Sequence, residues 1–146
     1  MKERFDLNAA APAGYKAMSG LQGYVESCGL EASLLELIKI RTSQINGCAF
    51  CLAKHTADAR KLGESDARMH LLNAWDEAPC FSARERAALA WTDALTLVTE
   101  GHVPDAVYES VSKEFDEDEL SQLSFAVVAI NAWNRLAIAT RKQPAL

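Results

Sequence analysis

The chain has 146 residues, 49% hydrophobic and 24% charged, with a formal net charge of −5 at pH 7. These values suit one soluble globular domain over residues 1–146 and exclude disordered and fibrous classes. The acidic balance, with no cluster of Lys and Arg, argues against a nucleic-acid partner.

The longest unbroken apolar stretch, FAVVAI, is too short to cross a bilayer, so no membrane partner is expected. The N-terminal MKERFDLNAAAPAGYKAM mixes charges and lacks the apolar run of a secretory signal. A cytoplasmic location is the resulting expectation. There, four cysteines read as catalytic, metal-binding or buried thiols before they read as structural disulfides.

Helical signals recur along the whole chain and strand alternation is almost absent, which predicts an all-α fold of about seven helices. The first covers roughly residues 13–27 and ends before Gly29. The second, about 31–45, carries Leu34, Leu37, Ile38, Arg41 and Ile45 on one stripe and stops at the Asn46-Gly47 breaker. A third starts near Cys48 and ends at Gly63, and a fourth covers about 65–74 from Ser65.

The fifth has the clearest start, because Ser82 and Glu85 fit a capping box, and it runs on to Gly101. The sixth follows Pro104, placed in its first turn. The last, about 117–140, opens on an acidic run that suits the positive end of a helix dipole. Leu120, Leu123, Val127 and Ile138 mark one apolar face of it, and Phe125, Ala129 and Trp133 mark the other. A helix apolar on both sides is buried on both, which predicts an oligomer, with a central helix inside a monomeric bundle as the alternative.

The chemistry concentrates in the third helix. Cys48, Cys51 and His55 fall in one narrow sector at 100° per residue, shared with Leu52, Ala59 and Leu62, so the thiols point toward the core. Burial alone makes a thiol inert, but the free N–H groups of a helix start favour a thiolate. His55, one turn past Cys51, can take or return a proton near neutral pH. A reversible dithiol couple satisfies these features. Two other readings stand beside it: half of a zinc site, which lacks a second paired motif, and a pair of inert buried thiols with a surface histidine.

Several other residues read as structural. Cys28 and Cys80 are isolated and read as ordinary buried thiols; His70 and His102 read as surface residues. Trp75, Trp91 and Trp133 are expected in the core or an interface. Asn131 and Asn134 project from an apolar face, where an unpaired amide costs roughly 1–3 kcal/mol. Bonds to a neighbouring helix are expected of them in preference to a place around the site.

RTSQINGCAFCLAKHTADARKLGES resembles the core of the AhpD-like alkylhydroperoxidases of the carboxymuconolactone decarboxylase superfamily. AWDEAPCFSARERAALAWTDALTLV and INAWNRLAIA are similar to that group as well. The Glu-x11-Cys-x2-Cys-x3-His pattern is filled by Glu36, Cys48, Cys51 and His55. The resemblance implies an AhpD-like helical bundle assembled as a homotrimer or homohexamer, and thiol-dependent reduction of hydrogen peroxide or an organic hydroperoxide.

It further implies Cys51 as the attacking thiolate, Cys48 as the resolving thiol, and Glu36 with His55 as a proton relay. No bound cofactor or metal is implied; an external dithiol or lipoyl-type electron donor is. Periodicity alone sends Glu36 to solvent or to a pair with Lys39, and only the resemblance brings it to the site. The enzymes resembled carry a histidine immediately before the second cysteine, where this chain has Phe50. Competing functions are lactone decarboxylation, protein-disulfide reduction and a non-enzymatic redox-sensing oligomer.

Overall fold

The computed structural model describes residues 2–144, among which every regular element is helical. In chain order these are α1 (Leu7–Ala10), α2 (Pro12–Ser27), α3 (Ala32–Asn46), α4 (Ala49–Lys61) and α5 (Asp66–Leu71). A 3-10 turn (Leu72–Ala74) leads on to α6 (Ala83–Thr96), α7 (Asp105–Val111) and α8 (Glu117–Thr140). Eight α-helices thus replace the expected seven. The addition is α1, a single turn that starts where Asp6 Oδ1 accepts the Ala9 N–H at 3.0 Å.

The other departures have local causes. The fifth expected helix, α6, stops at Thr96 and not near Gly101, because β-branched Thr96, Val98 and Thr99 lower helix propensity there and the chain turns at Gly101 and His102 with positive φ. Pro104 is the N-cap of α7 and not part of its first turn. The Ser82–Glu85 capping box forms as expected, and α8 gains a second one between Asp116 and Glu119.

The element buried all round is α3. Leu34, Leu35, Leu37, Ile38 and Ile40 are all buried, and α4, α6 and α8 pack around them. Helix α8 is covered over much of its two expected faces within this one chain, Phe125 and Ile138 excepted. Leu120, Leu123 and Val127 face the core, and α2 covers Ala129 and Trp133, with the Tyr15 ring edge-on to Trp133 at 5.4 Å. Ile138 lies at the margin of the inner stripe and is 47% exposed; Phe125 and Val128 face outward at 49% and 52%. By length and hydropathy α8 could span a bilayer, which the shortness of FAVVAI did not foretell, but its packing is that of a core helix.

Arginines tie the helix ends together. Arg84 on α6 bonds Glu31 at the start of α3 and Glu119 in the first turn of α8, and stacks over Phe115 at 4.0 Å. Arg41 on α3 makes a bidentate pair with Asp93 on α6 at 2.7 and 2.8 Å. These bridges hold α3, α6 and α8 in the arrangement on which the site is built.

Candidate active site

Two residues separate α3 from α4, and both serve the site. Gly47 caps α3 in the left-handed region at φ 68°, and the next N–H, of Cys48, returns to Ser43 O at 3.0 Å. That turn makes Cys48 the N-cap of α4. Its sulfur accepts the Cys51 N–H at 3.4 Å, the position that a Ser or Asp oxygen occupies in other helices. The sulfur atoms of Cys48 and Cys51 are 2.7 Å apart, closer than two thiols normally pack and within an ångström of the ~2.05 Å disulfide bond.

The pair shares its protons unequally. The hydrogen bond shared with Cys51 pulls the Cys48 thiol down to about 7, and backbone N–H groups of Cys51 and Phe50 add to it. Cys51 is pushed up, first by that hydrogen bond and then by burial and by the charge on Cys48; the Asn134 amide and Lys142 oppose the rise. The first proton is therefore lost from the pair more readily than from a lone thiol, and the second less readily.

Around the sulfurs, Ile130, Trp133 and Ala137 of α8 and Phe50 of α4 form an apolar jacket. Asn134, fully buried on the same stretch of α8, donates to Ser43 Oγ at 3.0 Å and accepts from Asn46 at 2.9 Å. Asn131 accepts from Asn46 and donates to Thr96. Both asparagines bond to neighbouring helices as expected, and Asn134 also acts on Cys51.

Glu36 and His55 meet on one wall. His55 Nδ1 lies 2.9 Å from Glu36 Oε2, and Lys39 Nζ lies 2.7 Å from Glu36 Oε1. All three residues are buried. Burial pushes the Glu36 carboxyl up, but hydrogen bonds from His55 and Lys39 outweigh it and hold the group below the usual carboxylate value. The periodicity reading was right about the Lys39 pair and wrong about solvent, because α4 covers that face of α3. His55 Nε2 has no partner among the described residues and is not sealed from solvent, and His55 lines the cavity.

Glu36, Cys51 and His55 line one cavity of about 650 Å³ between the N-terminal segment, α2, α3, α4 and the end of α8. Cys48 sits behind Cys51 and does not line it. Tyr15, Phe50, Trp133 and Leu136 supply apolar wall, and Lys142 stacks over the Phe50 ring at 4.6 Å.

The competing readings of the thiols fare poorly. Among the described residues, the one cluster spaced to hold a cation is Glu36, His55 and Asp58, within 4.8 Å, and it omits both thiols. Its carboxylates are already paired, with Lys39 on one side and with Lys54 and Lys61 on the other. The histidine of the inert-thiol reading should be at the surface, and His55 is buried.

Cys28 and Cys80 are half-buried, and His70 and His102 are exposed. Trp91 is buried and Trp75 half-buried, each with its indole N–H bonded, to Ser124 and Asp93. Sequence reasoning did not assign Lys39, Trp133, Asn134 or Lys142 to the site. The run LLELIKI did carry a signal, since two charges set three apart among buried leucines and isoleucines must satisfy each other.

The carboxymuconolactone decarboxylase family model matches residues 12–94, more than half the chain. The uncharacterized protein YdfG of Bacillus subtilis is 41% identical over 139 residues, 95% of each chain. A crystal structure from Agrobacterium tumefaciens, of a protein of unknown function whose description relates it to the antioxidant defence protein AhpD, superposes with a TM-score of 0.97. It is 39% identical and covers 99% of both chains. A peroxidase-related protein from Ralstonia eutropha JMP134, described as an alkylhydroperoxidase AhpD core, shares the fold with a TM-score of 0.82. That likeness is at 20% identity over 94% of this chain and 74% of that one. With the matched region holding the dithiol, Glu36 and His55, the chain belongs to the carboxymuconolactone decarboxylase family, with AhpD-like structural neighbours.

Proposed function

We propose that the protein is a thiol-dependent peroxidase that reduces hydrogen peroxide or an organic hydroperoxide. The observation that carries this reading is the pair of sulfurs 2.7 Å apart, one of them on the wall of a cavity that also holds Glu36 and His55. Cys51 attacks, because it is the sulfur that lines the cavity. Its proton passes to the Cys48 thiolate or, through water, to His55 Nε2.

The Cys51 sulfur displaces alkoxide from the O–O bond, which takes up one proton and leaves as alcohol, and Cys51 becomes a sulfenic acid. Cys48 then attacks that sulfur. The S–O bond breaks, water leaves with the Cys48 proton, and a Cys48–Cys51 disulfide remains. An external dithiol, of lipoyl or related type, returns two electrons and two protons and is itself oxidised to a disulfide. His55, held by Glu36 through Nδ1, moves the protons at Nε2.

The test is peroxide consumption driven by a dithiol. Turnover is expected in the wild type, abolished in Cys51→Ser, and reduced at least tenfold in Cys48→Ser, His55→Ala and Glu36→Gln. Full activity in Cys51→Ser, or no peroxide consumption by a wild-type protein whose disulfide still cycles, would sink the reading. The second outcome would point to a protein-disulfide reductase.

A further inference from the structure

Lys39 is 5% exposed among Leu37, Ile38 and Ile40, and the peroxide cycle as written gives it no task. A buried ion pair contributes little stability over apolar side chains of the same volume, so packing does not call for a lysine here. Its place in the charge pattern does. Glu36 holds His55 through one oxygen and Lys39 through the other, at 2.9 and 2.7 Å. Asp58, which also lies within 4.8 Å of His55 and Glu36, is held by Lys54 and Lys61.

Each carboxylate next to the imidazole therefore carries its own lysine. An uncompensated carboxylate would favour imidazolium, which cannot accept a proton from a thiol. The remaining titratable groups facing this space are Glu3 and Asp6 of the N-terminal segment, Tyr15 and Glu26 of α2, Cys51 of α4 and Lys142 after α8. None of them bonds to His55.

We propose that Lys39 is a positioning residue for His55: it neutralises Glu36, so that this carboxylate orients the imidazole through Nδ1 while Nε2 stays free to accept a proton. The arrangement gives the site a fixed ring orientation without trapping the proton there. It also explains a lysine within the buried stretch 34–40, whose other residues apart from Glu36 are apolar.

The proposal rests on the relay role of His55, but its test needs no turnover and so stands or falls apart from the peroxidase reading. The three histidines are separable by NMR titration of their ring protons, with exposed His70 and His102 as internal references. In Lys39→Met the His55 midpoint is expected to move up by about one unit, a tenfold change in the protonation equilibrium, and to stay at the wild-type value in Lys39→Arg. The acid limb of dithiol turnover moves with it.

Lys39→Gln keeps a donor for Glu36 and removes only the charge, so it reads the same quantity if the Met variant does not fold. An unmoved His55 midpoint in a folded Met or Gln variant overturns the proposal. So does a midpoint displaced as far by Arg as by Met.

Discussion

The sulfur of Cys48 lies in hydrogen-bond contact with the Cys51 thiol and accepts the Cys51 N–H in the first turn of α4, and these contacts govern how the dithiol ionises. As pH rises through about 7 the reduced pair loses its first proton, while the second is retained by Cys51. The ultraviolet thiolate absorbance of wild type minus Cys48→Ser should therefore show one equivalent appearing with a midpoint of about 7, and no such step if the first thiolate forms elsewhere. The sequence made the dithiol and the role of a helix start legible, because both depend on spacing alone. It did not reveal that Cys51 faces the cavity and Cys48 does not, since that depends on where α8 lays Ile130, Trp133 and Ala137. Glu36 was invisible to periodicity for the same reason: the cover over its face comes from a different helix.

The joint between α3 and α4 carries the next level of control. Gly47 sits at φ 68° with no heavy atom within 4 Å of where a Cβ would stand, so a side chain there is opposed by backbone conformation and not by space. Gly47→Ala is expected to destabilise the protein by about 1 kcal/mol, and Gly47→Asn by less, as read from denaturant midpoints. Loss of several kcal/mol in Gly47→Ala would mean that the turn has a partner beyond its own conformation. The Asn-Gly breaker was plain in the sequence, as was the Ser82–Glu85 box. The early end of α6 was not, because the apolar pattern continues through Leu97 and Val98 after the backbone has left the helix.

For the whole molecule, the helical class followed from period and composition, and the AhpD-like likeness followed from the motif. Both expected faces of α8 are largely covered by α2, α3 and α6 of the same chain, so double burial of that helix no longer requires a partner. What remains outside is a smaller patch of Phe125, Val128 and Tyr24, with Tyr24 edge-on to Phe125 at 5.6 Å. If that patch is the contact, sedimentation equilibrium will find an oligomer for the wild type and a monomer for Phe125→Glu combined with Val128→Glu. A wild-type monomer would leave the patch without that role.

The sulfur at the start of α4 also bears on the direction in which electrons flow. A thiolate favoured near neutral pH stabilises the reduced protein relative to its disulfide, and so raises the reduction potential of the couple. In the dithiol cycle proposed above, a Cys48 thiol lowered to about 7 would make the couple less reducing than one built from two ordinary thiols. In that cycle one N-cap sulfur bears on how readily the reduced pair is regained after each turnover.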